Sequence, residues 1–395
     1  MSEPKKKRMR LPAGATAAEV MALVGSSTPL EDQSPAMDSA IAETDALAKK
    51  RVVAEPADAA EPAEPSLKRA RSTEEAAASI AAEASTITSG AKALAKGAVA
   101  EPRTPTERRP RAADGLVLVH WNVGGLNALL TGKKSDERKA LLVNLVAKER
   151  PDVLAISEHK LQQNKVDAAA EALRELLPGY ALHWAVCTAK NGYSGLVALV
   201  RDGLAPTVEI DTVCADLNEG RTITLGFDEV HAVLAYVPNS GSGLKRLDER
   251  IETWEPAMRA HLKALGKGGK PVVLLGDLNV CHLDADIWNG PAKTSKNPGC
   301  SPRERAAFGE LLADGPYVDC FRELHPEATG CFSFWSTMQG NKPLNRGLRL
   351  DYAVASAALA AADAPLALHD CAYLDEYAPN GDHAPSLVAL KRAAA

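Results

Sequence analysis

The sequence predicts an α/β domain in which helices cover two β-sheets, carried behind a disordered tail. Three observations predict this. Residues 1–113 contain no Trp, Tyr, Phe or Cys, whereas the rest of the chain holds all 5 Trp, 7 Tyr, 5 Phe and 7 Cys. A segment that poor in large apolar groups buries too little surface to offset its ordering entropy. From residue 116 onward, short apolar runs alternate with amphipathic segments. Between residues 181 and 236 several strand-like runs follow one another with only turn residues between them. That succession argues against one parallel, doubly wound sheet and for two sheets with helices outside.

Each element follows from its own pattern. Residues 116–121 form an apolar strand. Ser135 is expected to cap a helix that runs to about Arg150, with Leu141, Leu142, Leu145 and Val146 on one face. Residues 153–157 return as a strand, and 166–177 form a helix closed by Pro178-Gly179. Strands are expected at 181–186, 195–200, 207–213, 221–227 and 230–236. Leu244, Leu247, Ile251, Trp254, Met258, Leu262 and Leu265 recur at steps of three and four, a helix bent at Pro256 and stopped at Gly266. PVVLLGDLNVCH (271–282) reads as a strand buried on both faces that ends in Asp277 and Asn279. Ser301-Pro302-Arg303-Glu304 is a capping box with Pro at the first helical position. Strands at 332–335, 350–355 and 386–390 complete the domain, which spans 114–395.

The tail, 1–113, carries basic clusters at 4–10, 49–51 and 68–71 of the kind read by nuclear import receptors, which places the protein in the nucleus. It holds 17 Lys and Arg against 16 Asp and Glu, leaving 29 against 35 in the rest. An acidic balance excludes gross electrostatic binding to nucleic acid but not a local basic face. Seven cysteines without a CxxC pair point to reduced thiols rather than a disulfide framework or a zinc site. No apolar run approaches the length of a membrane span, and the N-terminus has no signal-peptide core.

Six apolar elements deliver a polar group at one end: Asn122, Glu158, Tyr236, Asp277 with Asn279, Asp351, and Asp382 with His383. Ligands in α/β folds collect outside strand ends, so these groups are expected to converge. Carboxylates and amides suit a hard cation such as Mg²⁺ or Mn²⁺. An Asp able to take a proton from water, beside an Asp–His pair able to face a phosphate oxygen, suits metal-assisted phosphodiester hydrolysis.

These residues, in order, resemble the exonuclease III class of abasic-site endonucleases within the endonuclease/exonuclease/phosphatase superfamily. The likeness runs through HWNVGGLNA (120–128), ISEHK (156–160), GYSGLVAL (192–199), YVPNSGSGLKRL (236–247), GDLNVCH (276–282), NPGCSPRERAAFGELL (297–312), FSFW (332–335), RLDY (349–352) and GDH (381–383). It is nearest to the nuclear eukaryotic branch. The resemblance implies a four-layer α/β sandwich, two packed mixed sheets flanked by helices. It implies incision 5′ to an abasic site in double-stranded DNA during base excision repair, with 3′-phosphodiesterase and 3′–5′ exonuclease side activities, by a monomer. Carried onto this sequence, it makes Tyr236, Asp277, Asn279, Asp351 and His383 catalytic. Asn122, Glu158, Asp277, Asn279, Asp382 and His383 would surround the metal. Tyr193, Asn239, Asn297, Phe334 and Leu350 would contact the substrate.

The chain departs from the family pattern at three positions. Gly124 stands where Asp or Asn is usual, Ser242 where a branch has a DNA-inserting Arg, and Leu348 where a Trp packs the sugar pocket. The alternatives are another phosphodiesterase or phosphatase of the superfamily, and a DNA-binding homologue with weakened catalysis.

Overall fold

The structure, a computed structural model, describes residues 99–361 and 363–393. The basic clusters and the greater part of the expected tail lie outside these residues. In chain order the main elements are β1 (Gly115–Asn122), α1 (Leu126–Leu130), α2 (Ser135–Glu149), β2 (Val153–Ser157), α3 (Val166–Leu176), β3 (Tyr180–Ala185), β4 (Leu196–Arg201), β5 (Thr207–Ile210), β6 (Thr222–Gly226) and β7 (His231–Tyr236). They continue with α4 (Glu255–Gly266), β8 (Val272–Asp277), α5 (Pro302–Asp314), β9 (Tyr317–Asp319), α6 (Cys320–Leu324), β10 (Asp351–Ser356), β11 (Leu366–Tyr373) and β12 (Ser386–Arg392).

The strands form two six-stranded mixed sheets, ordered β11-β12-β1-β2-β4-β3 and β5-β6-β7-β8-β10-β9. Each is built around one parallel pair, β1 with β2 and β7 with β8. Alternate residues make the layers. Leu116 and Leu118 of β1 face the second sheet and meet Leu234, Val273 and Ala353 there. Val117, Val119 and Trp121 face outward and are covered by Leu129 of α1, Leu142 and Leu145 of α2 and Leu173 of α3. On the far side Val233, Leu274 and Val354 are covered by Met258 and Leu262 of α4 and Phe308 and Leu311 of α5. The result is the expected helix–sheet–sheet–helix sandwich.

Three local expectations are corrected, and one strand was not expected. The helix expected from Leu244 starts at Leu247, and a π-helical turn over Arg250–Trp254 carries it with helical backbone into α4, where Pro256, which has no N–H to donate, follows the turn. Ser135 is the first residue of α2 and makes no side-chain cap. Residues 332–335 are not a strand: Phe334 makes single bridges to Leu348 and His383, one rung on each side. Strand β11 was not legible because a bulge between Leu368 and Asp370 breaks its alternation and places polar residues in mid-strand. The capping box holds: Ser301 Oγ accepts from Glu304 N and Glu304 Oε2 from Ser301 N.

Contacts of the domain also begin before Asp114. Glu101 N donates to Leu344 O and Thr104 N to Thr329 O. Arg103 pairs with Asp375, Arg108 with Glu149 and Asp370, and Arg111 with Asp152. This segment is held by ion pairs rather than by apolar burial, so a composition boundary misses it. No helix among the described residues is long and apolar enough to cross a membrane.

Candidate active site

The register of the second sheet places three of the polar strand ends side by side. Tyr236 ends β7 opposite Asp277 of β8, and Asp351 opens β10 opposite the same Asp277. Gly276 permits this: a Cβ there would stand 1.8 Å from Ala235 O. Asp277 uses its two oxygens differently. Oδ1 accepts Asn279 N at 3.0 Å, closing an Asx turn, and Oδ2 accepts Asn122 Nδ2 at 2.9 Å from the other sheet. The turn holds Asn279 in the left-handed region at φ 49°, which aims its amide back across the strand ends. Asn279 Nδ2 donates to Val237 O at 2.9 Å, and its Oδ1 accepts Asn239 Nδ2 at 2.8 Å. Asn239 closes a second Asx turn by accepting Gly241 N at 2.8 Å.

Asn122, at the end of β1, completes the pattern. Its Oδ1 accepts Gly124 N at 3.0 Å, and its amide hydrogens face Asp277 and, at 3.3 Å, Glu158 Oε1. Glu158 also accepts the Tyr236 hydroxyl and pairs with Lys160 at 2.6 Å. Glu158 and Lys160 both adopt positive φ, a cluster of backbone strain at the mouth of the site. On the opposite side His383 Nδ1 faces Asp351 Oδ2 at 2.8 Å, while its Nε2 stands 3.8 Å from Asp277 Oδ2. The second distance exceeds a hydrogen bond and leaves a gap between ring and carboxylate.

Burial dominates the electrostatics. It raises the Asp277 carboxyl above its ordinary range, and Asp351 and Glu158 add to the rise, opposed by His383 and the Asn122 amide. Burial would hold His383 neutral, yet Asp351, Asp277 and Asp382 outweigh it and keep the ring protonated well above its usual range. Glu158 is pushed up by burial but ends below its ordinary value through its bonds to Lys160 and Tyr236. Tyr236 is raised far up by burial and by Glu158 and Asp277, so its hydroxyl remains a donor. Burial is the largest cause of the Asp277 rise, and Asp351 and Glu158 add to it as neighbouring carboxylates. Clustered carboxylate oxygens fit a hard divalent cation. One ligand atom each from Asp277, Asp351 and His383 lies within 4.8 Å of the others. Glu158, held by Tyr236 and Lys160, lies outside this group of three.

Endonuclease/Exonuclease/phosphatase family sequences match residues 119–371, more than half of the chain. The chain belongs to this family. It is 38% identical over 303 residues to the DNA repair nuclease APEX1 of Danio rerio, covering 74% of this chain and 91% of that protein. It is 35% identical over 241 residues to a DNA-(apurinic or apyrimidinic site) endonuclease of Dictyostelium discoideum, covering 60% of this chain and 62% of that one. The crystal structure of AP endonuclease LMAP from Leishmania major superimposes with a TM-score of 0.63 at 29% identity, covering 77% of this chain and 99% of that chain. The protein is a phosphodiester hydrolase.

The remaining residues expected at this hydrolase's site lie around the cluster. Phe334 packs at a tilt against His383, ring centroids 4.9 Å apart, and joins Leu348, Leu350 and Ile287 in an apolar wall. Tyr193 does not reach the cluster. Its hydroxyl accepts from Arg221 and Arg246, and Arg221 in turn donates to Tyr236 O at 2.9 Å. Asn297 is exposed on the loop between β8 and α5. Asp382 lies beside Gly124, where a Cβ would stand 3.9 Å from its Oδ1, and both line a cavity of about 300 Å³. Ser242 is exposed.

Sequence reasoning missed the supports of the cluster. Ser333 Oγ accepts the backbone N–H of both Leu350 and Asp351. Buried Arg250 donates to Asn279 O at 2.6 Å and Leu278 O at 2.7 Å. A signal for Arg250 existed: it stands three residues after Leu247 and four before Trp254, a charge on an apolar helical face. Buried His120 faces Asp351 from the first sheet, and nothing in its strand pattern singled it out.

Proposed function

We propose that this hydrolase is a divalent-cation-dependent DNA-(apurinic or apyrimidinic site) endonuclease that cuts 5′ to an abasic site and leaves a 3′-hydroxyl. The observation that carries the reading is the in-register row Tyr236, Asp277, Asp351, closed by Asn279 and His383. Glu158 and Asp277 would hold Mg²⁺ or Mn²⁺, whose charge offsets that of the phosphate. Asp277 takes the proton of the attacking water. Its Oδ2 borders the gap beside the His383 ring, within reach of a water placed there. His383, protonated and steadied by Asp351, faces a phosphate oxygen in the gap beside Asp277. Tyr236 donates its hydroxyl toward the phosphate, and Asn279 keeps a second amide hydrogen for an equatorial oxygen.

Phe334, Leu348 and Leu350 form a wall suited to a sugar without a base, and a damaged nucleotide is easier to extrude than a paired one. Asn239 and Asn297 would contact the DNA strand, and Asp382 would hold water around the cation. The names of the Dictyostelium and Leishmania relatives support the same substrate, and that of the Danio rerio relative supports DNA repair. The exodeoxyribonuclease of Bacillus subtilis, 36% identical over 242 residues, supports an exonuclease side activity. The catalytic unit starts near Glu101 rather than Asp114, acts as a monomer, and reaches the nucleus through import receptors that read the tail.

The test is cleavage of a duplex oligonucleotide carrying one tetrahydrofuran abasic analogue, with Mg²⁺ or EDTA, beside D277N. Mg²⁺-dependent incision immediately 5′ to the analogue, lost in the variant, is the expected result. Binding without incision, or cleavage indifferent to the lesion, overturns the reading.

A further inference from the structure

His120 is fully buried and lies outside the row of acids. It follows Leu116 and Leu118 on the face of β1 that meets the second sheet, so its ring stands between the two sheets at their functional end. One ring nitrogen, Nε2, is 2.8 Å from Ser157 Oγ on β2. The other, Nδ1, is 3.5 Å from Asp351 Oδ1 on β10. Neither Nδ1 nor Oδ1 has a hydrogen-bond partner elsewhere, and both are buried. A carboxylate oxygen only accepts, so the ring atom that faces it must carry the proton. The Ser157 hydroxyl rotates to serve whichever role Nε2 takes. At 3.5 Å the pair stands at the outer edge of hydrogen-bond reach, and each atom is the other's facing group in the interior.

We propose that His120 is a positioning residue for the hydrolytic reaction, acting through Asp351. This rests on the active-site reading above. Asp351 is then held from three directions. Ser333 fixes its backbone, His383 takes Oδ2, and His120 takes Oδ1. A carboxylate bonded at one oxygen alone turns freely about its last torsion. Fixing the second oxygen fixes the plane, and with it the direction of His383 Nε2. The Ser157–His120–Asp351–His383 chain thus links the first sheet to the group that meets the phosphate. Partners of this kind, one step behind the reacting groups, change activity by about 10- to 100-fold when removed.

The test compares H120L and H120N in the full chain. Asn places its amide hydrogen near the position of Nδ1 and keeps the donor, while Leu fills the space without one. With the tetrahydrofuran duplex and Mg²⁺, H120L should lose about 10- to 100-fold in kcat with KM nearly unchanged. H120N should recover to within a few-fold of the parent protein. In cation-free protein, the downfield NMR resonance of the His383 Nδ1 proton should weaken or shift in H120L and persist in H120N. If H120L keeps full kcat, or if H120N is as impaired as H120L, the ring is only core filling and the proposal fails. Should H120L fail to fold, S157A replaces it: it frees the ring and should lower kcat while leaving KM, and an unchanged kcat overturns the proposal. If the parent protein itself does not incise the duplex, it is the functional reading that fails.

Discussion

Arg349 offers the sharpest test of how the site is held in place. It directly precedes Leu350 and Asp351 and is fully buried. Its guanidinium donates to Asp286 at 2.8 and 3.0 Å and to Asp319 at 3.1 and 2.6 Å, a fork that ties the segments of Asp286 and Arg349 to the end of β9. R349M leaves both acids buried, with Arg322 as the remaining cation for Asp286. Two routes give the magnitude. Burial raises the Asp286 carboxyl, yet Arg349 and Arg322 bring it to about 2 against an ordinary 3.8, which corresponds to about 2 to 3 kcal/mol. Breaking a buried pair by removing one partner costs about 3–5 kcal/mol. The second figure is the better guide, because Asp319 is stranded as well. The pH dependence follows from the direction of the shift. A depressed carboxylate stabilises the fold above its unfolded value and loses that contribution as pH falls from about 3.8 through about 2. In R349M the depression weakens and burial pushes the group up, so acid unfolding should move to higher pH. Urea unfolding followed by tryptophan fluorescence should show a loss of about 3–5 kcal/mol with an unchanged slope. R349K, which keeps the charge but not the fork, should fall between. A loss under about 1 kcal/mol in R349M would refute the claim that this network anchors the Asp351 strand.

Three further outcomes are expected. S333A removes the acceptor of two buried N–H groups, those of Leu350 and Asp351, and should cost about 2 kcal/mol and lower kcat; a thermal melt unchanged from the parent would count against it. Removing residues 1–113 rather than 1–98 deletes the Arg103, Arg108 and Arg111 pairs and should lower Tm by about 2–4 °C; equal melting of the two truncations would show that the segment adds nothing. G124D must adopt φ 62° at a cost of about 1 kcal/mol but sets a second carboxylate beside Asp382, so the Mg²⁺ concentration giving half-maximal incision should fall; an unchanged value would mean that Asp382 does not share the cation.

The chain's own pattern determined the layers and marked out the candidate site residues. Strands such as β8 are apolar from residue 272 to residue 275 because both faces are covered, and that pattern is local and visible. The polar residue at each strand end was equally visible, since it interrupts an apolar run. Asp277 shows why the two readings of such a residue need not compete: one oxygen caps the turn and the other faces the site. Tertiary structure alone decided which of these ends meet. Strand register brought Tyr236, Asp277 and Asp351 into one row, and no residue in any of the three strands encodes its partner's offset. It also decided the supports. Ser333 and His120 act through neighbours distant in sequence, 18 residues in the first case and across the two sheets in the second. The 99–113 segment was misjudged for the same reason: it is held by single charges placed opposite acids of the folded domain, and such matches exist only once both partners are in place.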